Sequence, residues 1–382
     1  MIKLIHISDL HLGKPFKAFY DKGEVLRQAL IDVFNRIVDF AIQEDVKGVL
    51  IAGDLFDSNS VGKTINIIQG IIKKSGLNFY ILPGAGQGGV AGHDALVQGS
   101  LYLRESWQMV PNAHIFKATD GEVFYDSDYK IAFYGKPTIT YNQSPLPILD
   151  KHREALYHIA LVHGSIQLHE HIDDYPFTLE EVAALDYQYV ALGHWHRFNK
   201  YEYGGGMACY CGVAEILEKG GEGRGTFALI CLKEGKVLSV ECKPIGRFFN
   251  MKIPINVEQD LADLSHFIQE NVYEPQNTIL NIYLSGDIEI NQYEYFKEAL
   301  LDKLKEVFHV FLDDKDVRFN SKAVSYPANT VAGQFIRLME EKLSLEPDED
   351  KRQHMFRAMQ IGIGLLAGEK DKKDLSLKEY LF

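Results

Sequence analysis

Along the first two hundred residues, apolar and polar positions follow two alternating rhythms. Short, almost unbroken apolar runs of strand length fall at residues 2–8, 46–53, 77–84, 130–136, 158–164 and 187–194. Between several of them the apolar positions recur every three to four residues. The clearest such stripe, Leu26, Leu30, Val33, Ile37 and Phe40, predicts a helix from about Glu24 to Gln43. Shorter helices are predicted over Thr64–Lys74, Arg153–Tyr157 and residues 178–185. Strands separated by helices predict an α/β fold with a substantially parallel sheet.

The pattern changes after residue 206. Strand-like segments at 207–216, 226–233 and 236–245 are separated by glycine-rich turns, which predicts the closing strands of a second sheet. Near Arg247 a new unit is expected to begin. Strand-like 248–257, helical 260–272, strand-like 278–289, helical 293–308 and a short strand at 309–314 make a small βαβαβ piece. After Pro327, two amphipathic helices follow, near Val331–Leu343 and Lys351–Leu366. Their apolar stripes either pair with each other or dock on a partner through anchors spaced three and four apart. The expected division is therefore 1–245, 246–320 and 321–382.

Composition narrows the function classes. A chain of 382 residues with 46% hydrophobic residues can build more than one core. A net charge of −13 argues against non-specific coating of DNA, which draws on clustered Lys and Arg, but not against a nuclease whose bound cations offset local carboxylates. No apolar run reaches the roughly 18 residues of a membrane span. The chain opens directly on a strand-like run without a signal-peptide pattern, so a cytoplasmic protein is the expectation. The four cysteines lack CxxC spacing; Cys209 and Cys211, two apart in a strand-like run, read as buried small hydrophobes.

The candidate chemistry sits where the strand-like runs give out. Asp9 and His11 follow the first, Asp54 the second, His93 and Asp94 the third after a glycine-rich stretch, His163 ends another, and His194 and His196 follow the last. Side chains at i and i+2 of extended backbone point the same way, so each of the pairs Asp9/His11 and His194/His196 is expected to reach one ion. In open α/β sheets, ligands bind at the carboxyl ends of strands. Together these carboxylates and imidazoles suit two adjacent divalent metals, the arrangement that hydrolyses phosphate esters. The remaining histidines read as structural, and His169 and His171 form a second HxH pair in a polar loop.

The order of these motifs resembles the calcineurin-like metallophosphoesterases, and more narrowly the SbcD family, the nuclease subunit of SbcCD-type double-strand-break repair complexes. SDLHLG, AGDLFD and LGHWH carry the likeness, which extends more loosely through most of the chain. The resemblance implies a two-sheet metallophosphoesterase sandwich flanked by helices, a small α/β capping domain, and a C-terminal helical segment. It implies that Asp9, His11, Asp54 and His196 hold one metal, that Asp54 bridges to a second held also by His163 and His194, and that manganese is the metal. His93 is implied to act at the scissile phosphate, and for Asp57 an outer-shell or helix-capping role and direct chemistry stand side by side. Implied partners are DNA ends or single strands and an SbcC-like coiled-coil ATPase held by the last helices; a second copy of the chain is a further candidate, and a membrane is not.

The third motif departs from the family pattern PGNHD. Here Pro83-Gly84-Ala85 is followed by a glycine-rich stretch before His93-Asp94, and either Ala85 or Gly92 replaces the asparagine that would bind the second metal. Gln87 is the nearest amide, and the stretch itself reads as a mobile loop over the site rather than a phosphate cradle. Three functions therefore stand: a DNA nuclease, a nucleotide or phosphoprotein phosphoesterase, and a catalytically impaired DNA-end-binding subunit that docks an ATPase.

Overall fold

The six short apolar runs of the first half all form strands, and from the second onward every residue in those strands is buried. The computed structural model describes residues 1–85, 93–139, 143–167, 175–258, 270–288, 290–319 and 330–366, with His266 and Pro327. Its internal contacts divide the chain into two units, Met1–Asn250 and Met251–Phe382.

In the first unit the chain runs β1 (Ile2–Ile7), α1 (Gly23–Gln43), β2 (Gly48–Ala52), α2 (Thr64–Ser75), β3 (Phe79–Leu82) and β4 (Ala113–Ile115). Next come β5 (Glu122–Asp126), β6 (Ile131–Gly135), β7 (Tyr157–His163), the short pair β8 (Ser165–Ile166) and β9 (Pro176–Phe177), α3 (Leu179–Ala184) and β10 (Tyr189–Gly193). The unit closes with β11 (Phe198–Tyr203), β12 (Gly206–Cys211), β13 (Gly223–Lys233) and the start of β14 (Lys236–Asn256). One sheet has the order β14-β13-β1-β2-β3-β4 here, and the other β11-β12-β10-β7-β6-β5. Strands β1 to β4 are mutually parallel, as are β6, β7, β10 and β12, so the carboxyl ends within each set point one way.

The two sheets share a core. Leu4, Leu50, Leu82 and Ile230 of the first meet Phe133, Ile159, Leu161, Tyr189 and Cys209 of the second. The far face of the first sheet is covered by α1, whose buried stripe of Leu26, Leu30, Val33, Phe34 and Ile37 brings the Phe34 ring to 6.1 Å from that of Phe79. Cys209 and Cys211 are both buried in the shared core, as the sequence pattern predicts. Two expected elements differ, and one strand was not expected. Residues 153–156 form no helix, because the stretch is too short to repeat an apolar stripe, and Tyr157 already belongs to β7. The strands expected at 236–245 and 248–257 are one continuous strand, β14, of 21 residues, and the division between the two units falls within it, after Asn250. The edge strand β11, alternating Lys and Glu with aromatics, has no apolar run to reveal it.

In the second unit, the end of β14 is followed by β15 (Thr278–Ile288), α4 (Ile290–Lys303), β16 (His309–Phe319), α5 (Val331–Leu345) and α6 (Glu349–Leu366). Strands β15 and β16 are parallel, with α4 between them in sequence. Ile253, Ile255, Leu280, Ile282, Leu300 and Leu304 form its own core. Helix α6 is tied to this unit by Arg357, which donates to the Asp314 carboxylate, a group that also accepts from the Tyr293 hydroxyl at 2.6 Å. A Cβ on Gly362 would lie 2.4 Å from the Phe335 ring, so α5 and α6 pack closely against each other there. The helix expected over 260–272 falls largely outside the described residues.

Glu215, in the loop after β12, braces α1 against β14. Its carboxylate accepts from the Arg36 guanidinium at 3.1 Å and from the backbone N–H groups of Arg247 and Phe248 at 2.5 and 3.1 Å. Burial outweighs these donors and pushes its pKa up to about 7. The folded state thus holds a proton there that the unfolded chain releases near pH 4.5, and this contribution to stability is present below pH 4.5 and lost as pH rises through about 7. Thermal melts across this window should show a loss on the order of 3 kcal/mol in the native protein. That slope should be flattened in Glu215→Gln; an unchanged slope would show that Glu215 does not titrate in this way.

Candidate functional site

Seven side chains singled out from the sequence meet in one place. Asp9, His11, Asp54, His93, His163, His194 and His196 line a single cleft of about 280 Å³, joined by Lys14, Ala85 and Tyr175. The backbone reaches it by an unexpected route. Asp9, His11, Asp54, His93 and His194 all have positive φ, at 53°, 47°, 51°, 37° and 100°. The pairs Asp9/His11 and His194/His196 therefore do not converge as neighbours on extended strands. Left-handed turns just past β1, β2 and β10 aim them inward, and each such turn costs roughly 1–2 kcal/mol for a residue with a Cβ. Asp9 N–H and His11 N–H donate to the carbonyls of Gly53 and Asp54, which locks the first two turns together.

Close approach explains the glycines beside these residues. A Cβ on Gly53 would fall 2.1 Å from His163 Nδ1, and one on Gly84 would fall 1.8 Å from Asp54 Oδ1. Side chains there would fill the space that the imidazole and the carboxylate occupy.

Asp54 is the centre of the cluster. Its Oδ2 lies 3.6 Å from His163 Nε2, 3.7 Å from His93 Nε2 and 4.0 Å from His11 Nε2. Its Oδ1 is buried with no hydrogen-bond partner among the described residues. Burial, reinforced by the carboxylates of Asp94 and Asp9, pushes the Asp54 carboxyl well above the usual range. Burial also tends to raise Asp9, yet His163, His196 and His11 hold it below its ordinary value, and both its oxygens accept from the His194 N–H. Burial pushes the His11 imidazole well down, toward the neutral form.

The imidazoles are oriented from behind. His163 Nδ1 lies 2.9 Å from the Ala52 carbonyl, which can only accept, so the proton is assigned to Nδ1 and the lone pair of Nε2 faces Asp54. A lone pair and an ionised carboxylate oxygen 3.6 Å apart repel unless a proton or a cation lies between. His93 Nδ1 is 3.2 Å from the Asp57 carbonyl, which turns its Nε2 toward Asp54. His196 Nδ1 is 3.2 Å from Glu218 Oε2; burial would lower this imidazole, but Glu218 and Asp9 raise it.

Three sets bring donor atoms within 4.8 Å of one another: Asp9, His11 and His196; His11, Asp54 and His93; and Asp9, Asp54 and His163. Neutral imidazoles and ionised carboxylates so disposed fit divalent cations. Among the described residues His194 belongs to none of the three sets, although its ring centroid is 5.3 Å from that of His163. His93, expected to act on substrate, comes as near to Asp54 as the expected ligands do.

In the third motif Ala85 is buried and lines the cleft, while Gly92, Gln87 and the glycine-rich stretch lie outside the described residues, as do His169 and His171. Among the described residues Asp94 does not line the cleft. It accepts from Gly84 N–H, Phe56 N–H and the Tyr102 hydroxyl at 2.8, 2.9 and 2.5 Å, and so ties the chain before the glycine-rich stretch to the chain after it. Asp57 stands behind His11, 4.0 Å from its Nδ1, which fits the outer-shell placement. Lys14, Tyr175 and Glu218 were not visible as site residues in the sequence. Only Lys14 carried a signal, its place three residues past His11.

The family profile described as Calcineurin-like phosphoesterase matches residues 2–198. Similar proteins include the uncharacterized metallophosphoesterase YhaO of Bacillus subtilis, 26% identical over 212 residues, or 51% of this chain and 49% of that one. The DNA double-strand break repair protein Mre11 of Methanosarcina mazei is 23% identical over 335 residues, 80% of this chain and 50% of that one. Its namesake in Saccharolobus solfataricus is 23% identical over 352 residues, 86% of each chain. This chain thus spans about half the length of the first two of these relatives.

Glu218 provides a test of the cluster as a metal centre, because carboxylates behind ligating imidazoles fix tautomer and orientation. Glu218→Ala should weaken binding of Mn²⁺, measured by titration calorimetry, by about 10- to 100-fold while the melting temperature without metal stays within a few degrees. Unchanged affinity would remove Glu218 from the metal centre.

Proposed function

Because the chain belongs to the calcineurin-like phosphoesterase family, we propose that it hydrolyses DNA phosphodiester bonds with two divalent metal ions, as the nuclease subunit of an SbcCD-like repair complex. The observation that carries this reading is the buried Asp54 carboxylate facing three imidazole nitrogens within 4.0 Å. The choice of DNA over other phosphate esters is supported by likeness to DNA double-strand break repair proteins, which extends well past residue 198.

In this reading Asp9, His11, Asp54 and His196 hold one ion, and Asp54, His163 and His194 the other, with manganese the expected metal. Such ions, when bound, polarise phosphoryl oxygens and acidify water. The chain's own groups do the rest. Asp9 and Asp54 supply the negative charge and the imidazoles the neutral donors. His93, its Nδ1–H held at the Asp57 carbonyl, presents Nε2, which when protonated gives that proton to the leaving alkoxide or steadies charge on the phosphate. Ala85 leaves the second ion one side-chain ligand short of the family pattern. Residues 246–320 would serve as the capping domain and 321–382 as the partner-binding segment. Val331, Leu338, Leu345 and Phe356 are exposed on α5 and α6, which suits docking of a coiled-coil ATPase.

Hydrolysis of single-stranded DNA, duplex ends, cyclic nucleotides and p-nitrophenyl phosphate, compared side by side in Mn²⁺, tests the reading. DNA is expected to be the best substrate, and turnover of the small esters without cleavage of DNA would overturn the proposal in favour of a nucleotide or protein phosphoesterase. His93→Ala should lower kcat on DNA by about 100-fold or more with little change in metal affinity. Ala85→Asn should tighten the weaker metal site roughly 10-fold, read by calorimetry; no change would mean that Ala85 does not stand at the ligand position.

The docking segment has a separate test. The double variant Leu338→Glu/Phe356→Glu should abolish co-purification with the coiled-coil ATPase while leaving the melting temperature unchanged. Retained association would place the partner elsewhere.

A further inference from the structure

The chain has two tryptophans, and they are placed in opposite ways. Trp107 is buried, and its indole N–H donates to the Leu101 carbonyl. Trp195 is 49% exposed, although it stands between His194 and His196, both of which line the cleft. A spacer between two inward-facing histidines needs no large ring, and leaving one half in water forgoes the gain of burying it.

The exposed ring is nevertheless held in place. Its Nε1 donates to Ser165 Oγ at 2.9 Å, and Ser165 is buried two residues past His163. The strip that carries Ser165 is in turn fixed by Tyr210, whose hydroxyl donates to the Gly164 carbonyl and accepts from the Ile166 N–H, at 2.9 and 3.0 Å. The Tyr210 ring lies 6.4 Å from that of Trp195. One edge of the indole is therefore anchored beside the cleft, and much of the ring remains open to solvent.

We propose that Trp195 is a stacking platform for an unpaired nucleobase next to the scissile phosphate, so that the preferred substrates are single strands and frayed or overhanging duplex ends. Aromatic faces accept any base, which gives grip without sequence preference. A base inside an intact duplex is already stacked on both faces and must be extruded before it can reach such a ring. This inference rests on the nuclease reading, and it makes Trp195 a substrate-positioning residue.

Binding of a short single-stranded oligonucleotide to the full chain, without added metal so that no cleavage intervenes, tests it by tryptophan fluorescence. The oligonucleotide should quench the exposed indole of the native protein, and this response should vanish in Trp195→Phe, where only the buried Trp107 still emits. Loss of one stacked base is expected to weaken binding roughly 5- to 150-fold in Trp195→Ala, while Trp195→Phe, which keeps a ring, loses only a few-fold. An oligonucleotide of abasic sites should bind the native protein and Trp195→Ala alike, as should a covalently closed duplex. Equal losses on every ligand would make the ring a structural support and overturn the proposal. So would a native protein that binds and cleaves single strands with no fluorescence response and no effect of Trp195→Ala, an outcome that leaves the nuclease reading standing. A native protein that neither binds DNA in any form nor cleaves it in Mn²⁺ would overturn both.

Discussion

A buried carboxylate cannot keep its charge without compensation, and around Asp54 the chain supplies imidazoles that ease its charge while burial and neighbouring carboxylates oppose it. One of its oxygens meets no donor among the described residues, and the other faces three imidazole nitrogens at 3.6 to 4.0 Å. Among the described residues no lysine or arginine is paired with it. Much of the surrounding architecture serves that one arrangement. Two sheets of parallel strands deliver their carboxyl ends to it, glycines at 53 and 84 make room, and five left-handed residues turn the donors inward. The inter-sheet core between those strands is what holds such turns in place against their cost.

The strands formed by apolar runs, the long helices and the membership of the cluster were legible in the sequence because each rests on a local signal. An apolar run marks a buried strand, and a polar group with chemistry just past it marks the edge where ligands bind. The reason offered for convergence was nevertheless wrong at Asp9 and His11, whose φ values are 53° and 47°, because left-handed turns leave no trace in hydrophobic patterning. Glu218 was illegible for a different reason. It reaches His196 across 22 positions from a glycine-rich loop, and only the fold brings the two together. The continuity of β14 through Arg247 was hidden by the change of composition there, which marked a new core rather than a break in the backbone.

The two tiers around the cluster differ in how much they tolerate. Atoms that touch Asp54 or His163 sit at distances that leave no room for an added methyl group, as Gly53 and Gly84 show. One layer out, the supports are hydrogen bonds to backbone carbonyls, at Ala52 for His163 and at Asp57 for His93. Backbone atoms are present whatever the side chain, so this layer orients two imidazoles without fixing the residue type at either position. Glu218 is the exception, a support that a single substitution removes.

Asp94 bears on how such a site can change over generations. By gripping Gly84, Phe56 and Tyr102 at once, it staples together the two ends of the segment that separates Ala85 from His93. With Gly84 and Asp94 joined directly, the positions of the groups on either side are set by the staple rather than by the number of residues between them. Lengthening a loop whose ends are already joined costs little, about 0.6 kcal/mol for each doubling. The segment is therefore a slot where residues can be gained, lost or exchanged by descent, or grafted by design, while the chemistry beneath keeps its shape.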